Sequence, residues 1–194
     1  MMVETRSRTL RETLLVEGVA VLDIECVKVD APTVWAYRRR FKTVMVGIGI
    51  QNGPNFLCVQ FGSDDEAELL RAVSDFLIEK GVKRVLFSAA RDFDVMVMAG
   101  LWTNARRAFA VRPGPWPTLD LRKLCVTENV RRQLKNAVPA VNRDSDIRSV
   151  EVLERWPSGD REPVWSHNEL DVVELARQNQ ASFAAANPTT WATF

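Results

Sequence analysis

The segment GVAVLDIECVKVD, residues 18 to 30, places two acidic residues in a run of apolar and β-branched ones. Side chains alternate faces along a strand, so Asp23 and Glu25 point to the same side. A strand that is apolar on both faces indicates the middle of a covered sheet, where acids are rare. Two neighbouring carboxylates repel each other unless a cation lies between them, and a divalent ion with oxygen ligands fits that need. The alternative is an acidic turn just past the strand.

The composition predicts a globular protein. The chain has 194 residues, of which 46% are hydrophobic and 26% charged, which suits one domain of ordinary size. The net charge of +1 means that any basic surface is local. The three cysteines form no C-x-x-C pattern, so they indicate neither a zinc site nor a disulfide framework. The N-terminal stretch lacks the apolar core of a signal peptide, and no apolar run is long enough to span a membrane. We therefore expect a protein that is not secreted, has no membrane partner, and is cytoplasmic, or nuclear if the source is eukaryotic.

The predicted elements follow the order of three strands, a helix, a fourth strand and then further helices. The strands are predicted over residues 18–26, 43–51, 55–62 and 83–88. The helices are predicted over residues 63–81, 92–102, 118–134, 145–156 and 166–187, with a strand as the alternative for 92–102. This order predicts an α/β fold with a mixed central sheet flanked by helices. We assign residues 1–14 to an N-terminal appendage and residues 15–194 to a single domain.

Two helices are predicted to begin with a capping box, the first at Ser63 and Glu66, the second at Ser166 and Glu169. The second box contains His167, the only histidine in the chain. His167 precedes Asp171 by four positions, so the two side chains share one face of the helix. Asp171 interrupts an apolar stripe, so it faces either water or a site. For His167, the alternative to a functional role is a residue that packs at the start of the helix.

A third acidic segment is FSAARDFDVMVMAG, residues 87 to 100. It follows a predicted strand and opens a predicted helix. An acid in the first turn of a helix is ordinary capping, which accounts for Asp92. Asp94 lies deeper in an apolar run and needs another explanation. Asp94 is therefore the candidate site residue, and Asp92 is its rival.

Taken in order, these segments resemble the DEDD superfamily of 3′-to-5′ exonucleases, which have the ribonuclease H-like fold. The matching residues are Asp23 and Glu25 in LDIEC, Asp94 in RDFDVMV, and His167 with Asp171 in HNELDVV. The resemblance implies that the four acids are catalytic and hold two Mg²⁺ or Mn²⁺ ions, and that His167 is the general base. It also implies hydrolysis of phosphodiester bonds in single-stranded DNA or RNA.

The chemistry of phosphodiester hydrolysis agrees with these residue types. Two metal ions together stabilise the attacking and the leaving oxygen. Mg²⁺ and Mn²⁺ prefer carboxylate and water oxygens as ligands. Imidazole suits proton transfer because its ordinary pKa lies near neutral pH.

The second motif departs from the family pattern. The family usually carries an asparagine a few residues before the aspartate, whereas this chain has Ser88, Ala89 and Ala90 there. The spacing between His167 and Asp171 is that of the branch with tyrosine instead of histidine. Two alternatives therefore stay open. One is a catalytically weak or inactive nuclease-fold module that binds nucleic acid or a protein partner, and the other is a phosphodiesterase for short oligonucleotides.

The segment VWAYRRRFK, residues 34 to 42, supplies candidate substrate contacts. Aromatic residues that stack on bases and cations that meet phosphates are the ingredients of single-strand binding. The residues predicted to bind substrate are Tyr37, Arg38, Arg39 and Arg40. The alternative is a solvated basic loop with packed aromatics.

Overall fold

The computed structural model describes residues 2–28, 41–87, 118–120 and 146–185, and elements are numbered over these residues. The strands are β1 (Glu4–Leu10), β2 (Val19–Lys28), β3 (Phe41–Asn52), β4 (Asn55–Gly62), β5 (Arg84–Phe87) and β6 (Thr118–Asp120). The helices are α1 (Glu66–Glu79), a 3₁₀ turn (Ser149–Glu151), α2 (Val152–Ser158) and α3 (Glu162–Ala185). The predicted α/β class is confirmed. None of these helices is long and apolar enough to cross a membrane.

The six strands form one mixed sheet in the order β1-β4-β3-β2-β5-β6. Strands β1, β4, β3 and β2 pair antiparallel, whereas β5 runs parallel to β2, and β6 parallel to β5. Strand β2 therefore lies in the interior of the sheet, with β3 on one side and β5 on the other. The pairing of β2 with β3 shifts register between Glu25 and Cys26. Such an irregularity bends a strand locally, and here it falls at the second acid of the opening segment.

Both faces of the sheet are covered, as the apolar pattern of β2 predicts. Ala20 and Leu22 pack in the cluster that includes the buried face of α1. Val21, between them, packs in the opposite cluster together with Val172 of α3. The alternation of side chains continues along β2, so Asp23 and Glu25 project on the side of Val21. The two acids therefore face helix α3.

The structure corrects the prediction that residues 1–14 are an appendage. Glu4–Leu10 forms β1 and pairs with β4 along its whole length. Leu14 and Leu15 are buried, and their backbone N–H groups both donate to Gln51 Oε1. Arg8 of β1 forms an ion pair with Glu169 of α3. The charged residues of Glu4–Leu10 therefore belong to the outermost of the described strands.

The first predicted capping box is wrong because its two members have other partners. Helix α1 is capped by Asp65, whose side chain accepts hydrogen bonds from two backbone N–H groups of the first turn. The Ser63 hydroxyl instead accepts a hydrogen bond from Asp65 N. Glu66 accepts a hydrogen bond from Thr43 N of β3. The acid therefore ties α1 to the sheet.

The second predicted capping box is also wrong, because α3 begins at Glu162 and Ser166 lies inside it. The predicted helix over 118–134 begins instead with strand β6, and its remainder lies outside the described residues. Within the predicted helix over 145–156, residues 146–148 are not helical, and the 3₁₀ turn and α2 follow them. The predicted helix over 92–102 lies outside the described residues.

Candidate metal centre

Helix α3 and strand β2 bring three potential metal ligands to one point. Glu25, His167 and Asp171 each offer a ligand atom, and these atoms lie within 4.8 Å of one another. His167 Nε2 is 3.8 Å from Glu25 Oε1 and 3.6 Å from Asp171 Oδ2. The four-residue spacing places His167 and Asp171 on the same face of α3, as predicted. The described part of the chain thus joins residues that are 146 positions apart in sequence (171 − 25).

A glycine of β3 permits this close approach of helix and sheet. Gly47 lies opposite Asp23 in the pairing of β3 with β2. A Cβ atom at Gly47 would lie 2.6 Å from Val172 Cγ2 and 3.0 Å from Asn168 Cγ, and closer still to Asn168 Oδ1. Real Cβ atoms do not come this near to other heavy atoms. The missing side chain therefore allows α3 to sit directly over the acids of β2.

Two buried amides fix the side chain of Asp23. Asn168 Nδ2 donates to Asp23 Oδ2 at 2.8 Å. Gln60 Nε2 of β4 donates to Asn168 Oδ1 at 3.2 Å and to the Trp165 carbonyl oxygen at 2.7 Å. Both amide side chains are fully or almost fully buried. The sequence interpretation missed Asn168 and Gln60 as site residues.

The imidazole of His167 is held from its other side by a residue that the sequence interpretation also missed. His167 Nδ1 lies 2.9 Å from Asp146 Oδ1. The side chains of His167 and Asp146 are 4% and 6% exposed. Asp146 precedes the 3₁₀ turn in a stretch where the sequence predicts a helix, and no spacing rule connects it with His167. With Nδ1 directed at Asp146, Nε2 is directed at Glu25 and Asp171.

The electrostatics of the centre favour a cation. Burial raises the pKa of Glu25 well above its ordinary value, and the neighbouring carboxylates of Asp23 and Asp171 raise it further. The hydrogen bond with Asn168 acts in the opposite direction. A bound divalent ion would reverse the effect of this crowding, because it is the largest local charge in such a site.

The donor set fits a divalent metal. Glu25 and Asp171 offer carboxylate oxygens, which suit Mg²⁺ and Mn²⁺, and His167 offers an imidazole nitrogen, which suits the transition metals among them. Asp23 lies beside Glu25 and contributes to its electrostatics. The residues present are therefore compatible with divalent metal binding.

Other predicted site residues fall outside the described part of the chain. They are Asp94 and its rival Asp92, and the predicted substrate contacts Tyr37, Arg38, Arg39 and Arg40. Their roles stay predictions. Of the five residues predicted to be catalytic, the structure describes Asp23, Glu25, His167 and Asp171, and it brings these four together.

Comparison with known proteins shows a similarity of fold. No family model matches the chain, and no curated protein matches it significantly. Among solved structures, the family B DNA polymerase from the hyperthermophilic archaeon Pyrobaculum calidifontis is similar over 86% of this chain, with a TM-score of 0.53 and 18% sequence identity. The similar region covers 24% of the polymerase chain, so this protein spans about a quarter of its length. At this identity the similarity concerns the fold alone.

Proposed function

We propose that this protein is a metal-dependent 3′-to-5′ exonuclease with a ribonuclease H-like fold, acting on single-stranded DNA or RNA. The observation that carries the proposal is the convergence of Glu25, His167 and Asp171 within 4.8 Å, with Asp23 beside them. The similarity in fold to a DNA polymerase supports a role with nucleic acid. The 3′-to-5′ polarity rests on the resemblance to the DEDD exonucleases.

The acidic residues are assigned to metal binding. Asp23, Glu25 and Asp171 would hold two Mg²⁺ or Mn²⁺ ions together with Asp94. The ions would supply stabilisation of negative charge on the attacking and leaving oxygens of the phosphodiester. Asn168 keeps Asp23 oriented, because its Nδ2 donates to Asp23 Oδ2. Burial of Glu25 excludes water and so strengthens electrostatic interactions within the site.

His167 is assigned to proton transfer. Its Nε2 is directed toward the carboxylates, where a water molecule would be activated. In this role the imidazole takes a proton from the attacking water. Replacement of His167 by alanine then lowers the rate by roughly 10²–10⁴-fold, the usual range for general acid–base catalysis. The carboxylates remain in that variant, so metal still binds, although more weakly where Nε2 is itself a ligand.

Substrate binding is assigned to the basic and aromatic segment around Tyr37. Arg38, Arg39 and Arg40 would contact phosphates, and Tyr37 would stack on a base. Phosphate contacts are independent of sequence, so this assignment predicts binding that weakens as the salt concentration rises. It does not distinguish DNA from RNA.

The proposal is tested with oligonucleotides labelled at one end. The parent protein is incubated with single-stranded DNA, single-stranded RNA and dinucleotides, with Mg²⁺, Mn²⁺ or EDTA. We expect a ladder of products shortened from the 3′ end that depends on the metal. Asp171→Asn is the test variant, and Asp75→Asn, on the exposed face of α1, is the matched control that keeps full activity.

The same assay separates the two alternatives. If the parent cuts dinucleotides and leaves longer strands intact, it is a phosphodiesterase for short oligonucleotides. If it cuts nothing with either metal but still shifts a labelled strand in a binding assay, the enzyme proposal fails. The protein is then a binding module on a nuclease fold.

A further inference from the structure

We propose that Asp146 is a positioning residue that selects the tautomer of His167 with hydrogen on Nδ1, so that the Nε2 lone pair faces Glu25 and Asp171. The distance of 2.9 Å between His167 Nδ1 and Asp146 Oδ1 is that of a hydrogen bond. Both side chains are more than nine-tenths buried, so water does not compete freely for either atom. Measuring the catalytic rate rests on the proposed function, because it needs a substrate that the protein hydrolyses. The tautomer of His167 is measured without substrate.

Asp146 is held in place independently of the imidazole. The next residue, Ile147, is buried in a cluster with Val152 and Trp156 of α2. One position further, Arg148 N donates to Glu151 Oε2 at 2.8 Å, which closes the 3₁₀ turn. The backbone on the C-terminal side of Asp146 is therefore anchored by its own contacts. The carboxylate acts as a fixed point against which the imidazole orients.

The hydrogen bond determines which ring nitrogen carries the proton. An ionised carboxylate only accepts hydrogen bonds, so the ring nitrogen beside Asp146 must be the donor. In a neutral imidazole the other nitrogen then has a free lone pair. Nε2 needs this lone pair for either role at the metal centre, because both taking up a proton and binding a metal ion use it. Histidines that bind metals commonly donate their second N–H to a carboxylate for this reason.

The experiment exploits the presence of a single histidine in the chain. Protein labelled with ¹⁵N-histidine, with any purification tag removed, gives ring signals from His167 alone. The spectrum is recorded as the pH is raised until the ring has lost its second proton. The remaining proton is then assigned to Nδ1 or Nε2. We expect Nδ1–H in the parent protein.

Two variants and a control separate positioning from structural support. Asp146→Ala removes the acceptor, so Nε2–H becomes populated, and we expect activity or Mn²⁺ affinity to fall by roughly 10–100-fold, the usual cost of losing such a partner. Asp146→Asn keeps the shape of the side chain but can either accept or donate a hydrogen bond. We expect the parent rate if its spectrum shows Nδ1–H, and the rate of Asp146→Ala if it shows Nε2–H. Glu151→Ala loosens the same segment and leaves the carboxylate beside His167, so it retains the parent tautomer. Thermal unfolding of each variant measures any loss of fold.

The results decide the proposal whether or not the protein is a nuclease. A parent protein with Nε2–H, or an Asp146→Ala variant with the parent tautomer, overturns it. A variant that changes tautomer and keeps the parent's Mn²⁺ affinity and rate overturns it as well. If the parent hydrolyses no substrate, the proposed function fails, and the tautomer and the Mn²⁺ titration still test the role of Asp146.

Discussion

Replacement of Gly47 by alanine tests whether the close approach of α3 to the sheet builds the site. The added Cβ would lie 2.6 Å from Val172 Cγ2 and 3.0 Å from Asn168 Cγ. Asn168 cannot swing away freely, because it is fully buried and its amide joins Gln60 to Asp23. The helix must therefore move outward, or the amide must leave Asp23.

The expected cost follows from the crowding. Inserting a methyl group into a packed interior costs about 1–3 kcal/mol. For a chain of this size each kcal/mol lowers the unfolding midpoint by roughly 2–4 °C, so we expect a loss of about 2–12 °C. The displacement also disturbs Asp23, so the rise in midpoint caused by Mn²⁺ should shrink. Circular dichroism melts in EDTA and in millimolar Mn²⁺ measure both quantities.

Gly49→Ala is the matched control on the same strand. Its Cβ would lie 2.7 Å from Val21 Cγ2 and 2.8 Å from Phe56 Cε2, which belong to the core and not to the candidate metal centre. We expect a similar loss of stability in EDTA and a full response to Mn²⁺. The reasoning is refuted if Gly47→Ala melts like the parent, or if it keeps as much of the Mn²⁺ response as Gly49→Ala.

Further predictions concern the charges and hydrogen bonds of the described residues. Because burial and the carboxylates of Asp23 and Asp171 raise the pKa of Glu25, its stabilising contribution is complete below its unfolded pKa and is lost as the pH rises through its folded pKa. Glu25→Gln should therefore raise the melting midpoint in EDTA at neutral pH and flatten the pH dependence; a variant as pH-sensitive as the parent contradicts this. Mn²⁺ at a hundred times its Kd should stabilise the parent by about 2.7 kcal/mol, roughly 5–11 °C, and equal midpoints in EDTA and Mn²⁺ would argue against the metal centre. Asp171→Asn should weaken Mn²⁺ binding in a calorimetric titration while the fold persists, and unchanged affinity would remove Asp171 from the ligand set. Asp64→Ala leaves the indole N–H of the buried Trp156 without its acceptor and should cost about 1–3 kcal/mol in urea unfolding, whereas a cost near zero would show that water replaces the carboxylate.

The sequence patterns correctly predicted features that depend on residues close together in the chain. The run of apolar and β-branched residues located β2, and the alternation of side chains along a strand placed Asp23 and Glu25 on one face. The period of the helix placed His167 and Asp171 together. These rules depend on residues a few positions apart, and they held where the chain forms regular elements.

The partners of the site residues could not be predicted in this way. Asp146 meets His167 across 21 positions, through a segment whose path depends on how Ile147 packs. The pairing of Gln60 with Asn168 joins β4 to α3, and only the fold brings them together. One signal was present in hindsight: Gln60 is a polar residue on a face of β4 that otherwise carries buried apolar side chains.

The two capping predictions failed for different reasons. A serine and a glutamate three residues apart satisfy each other only at the end of a helix. In this protein Glu66 bonds to the backbone of β3 instead, and Ser166 lies within a helix that begins four residues earlier. The assignment of residues 1–14 to an appendage did not anticipate β1, since a charged sequence such as that of Glu4–Leu10 also suits the edge of a sheet.

Among the described strands β1 lies at the edge of the sheet, and this position has a consequence for how the protein behaves in solution. Strand β4 lies directly behind β1 and buries Phe56, Cys58 and Phe61. If the first 14 residues were removed, β4 would become the edge strand. It would then expose a row of unpaired backbone groups beside apolar side chains. An exposed apolar edge strand of that kind pairs readily with strands of other chains, whereas the arginines of β1 oppose such pairing. We therefore expect β1 to oppose self-association, and a protein without its first 14 residues should aggregate even if its metal centre is intact.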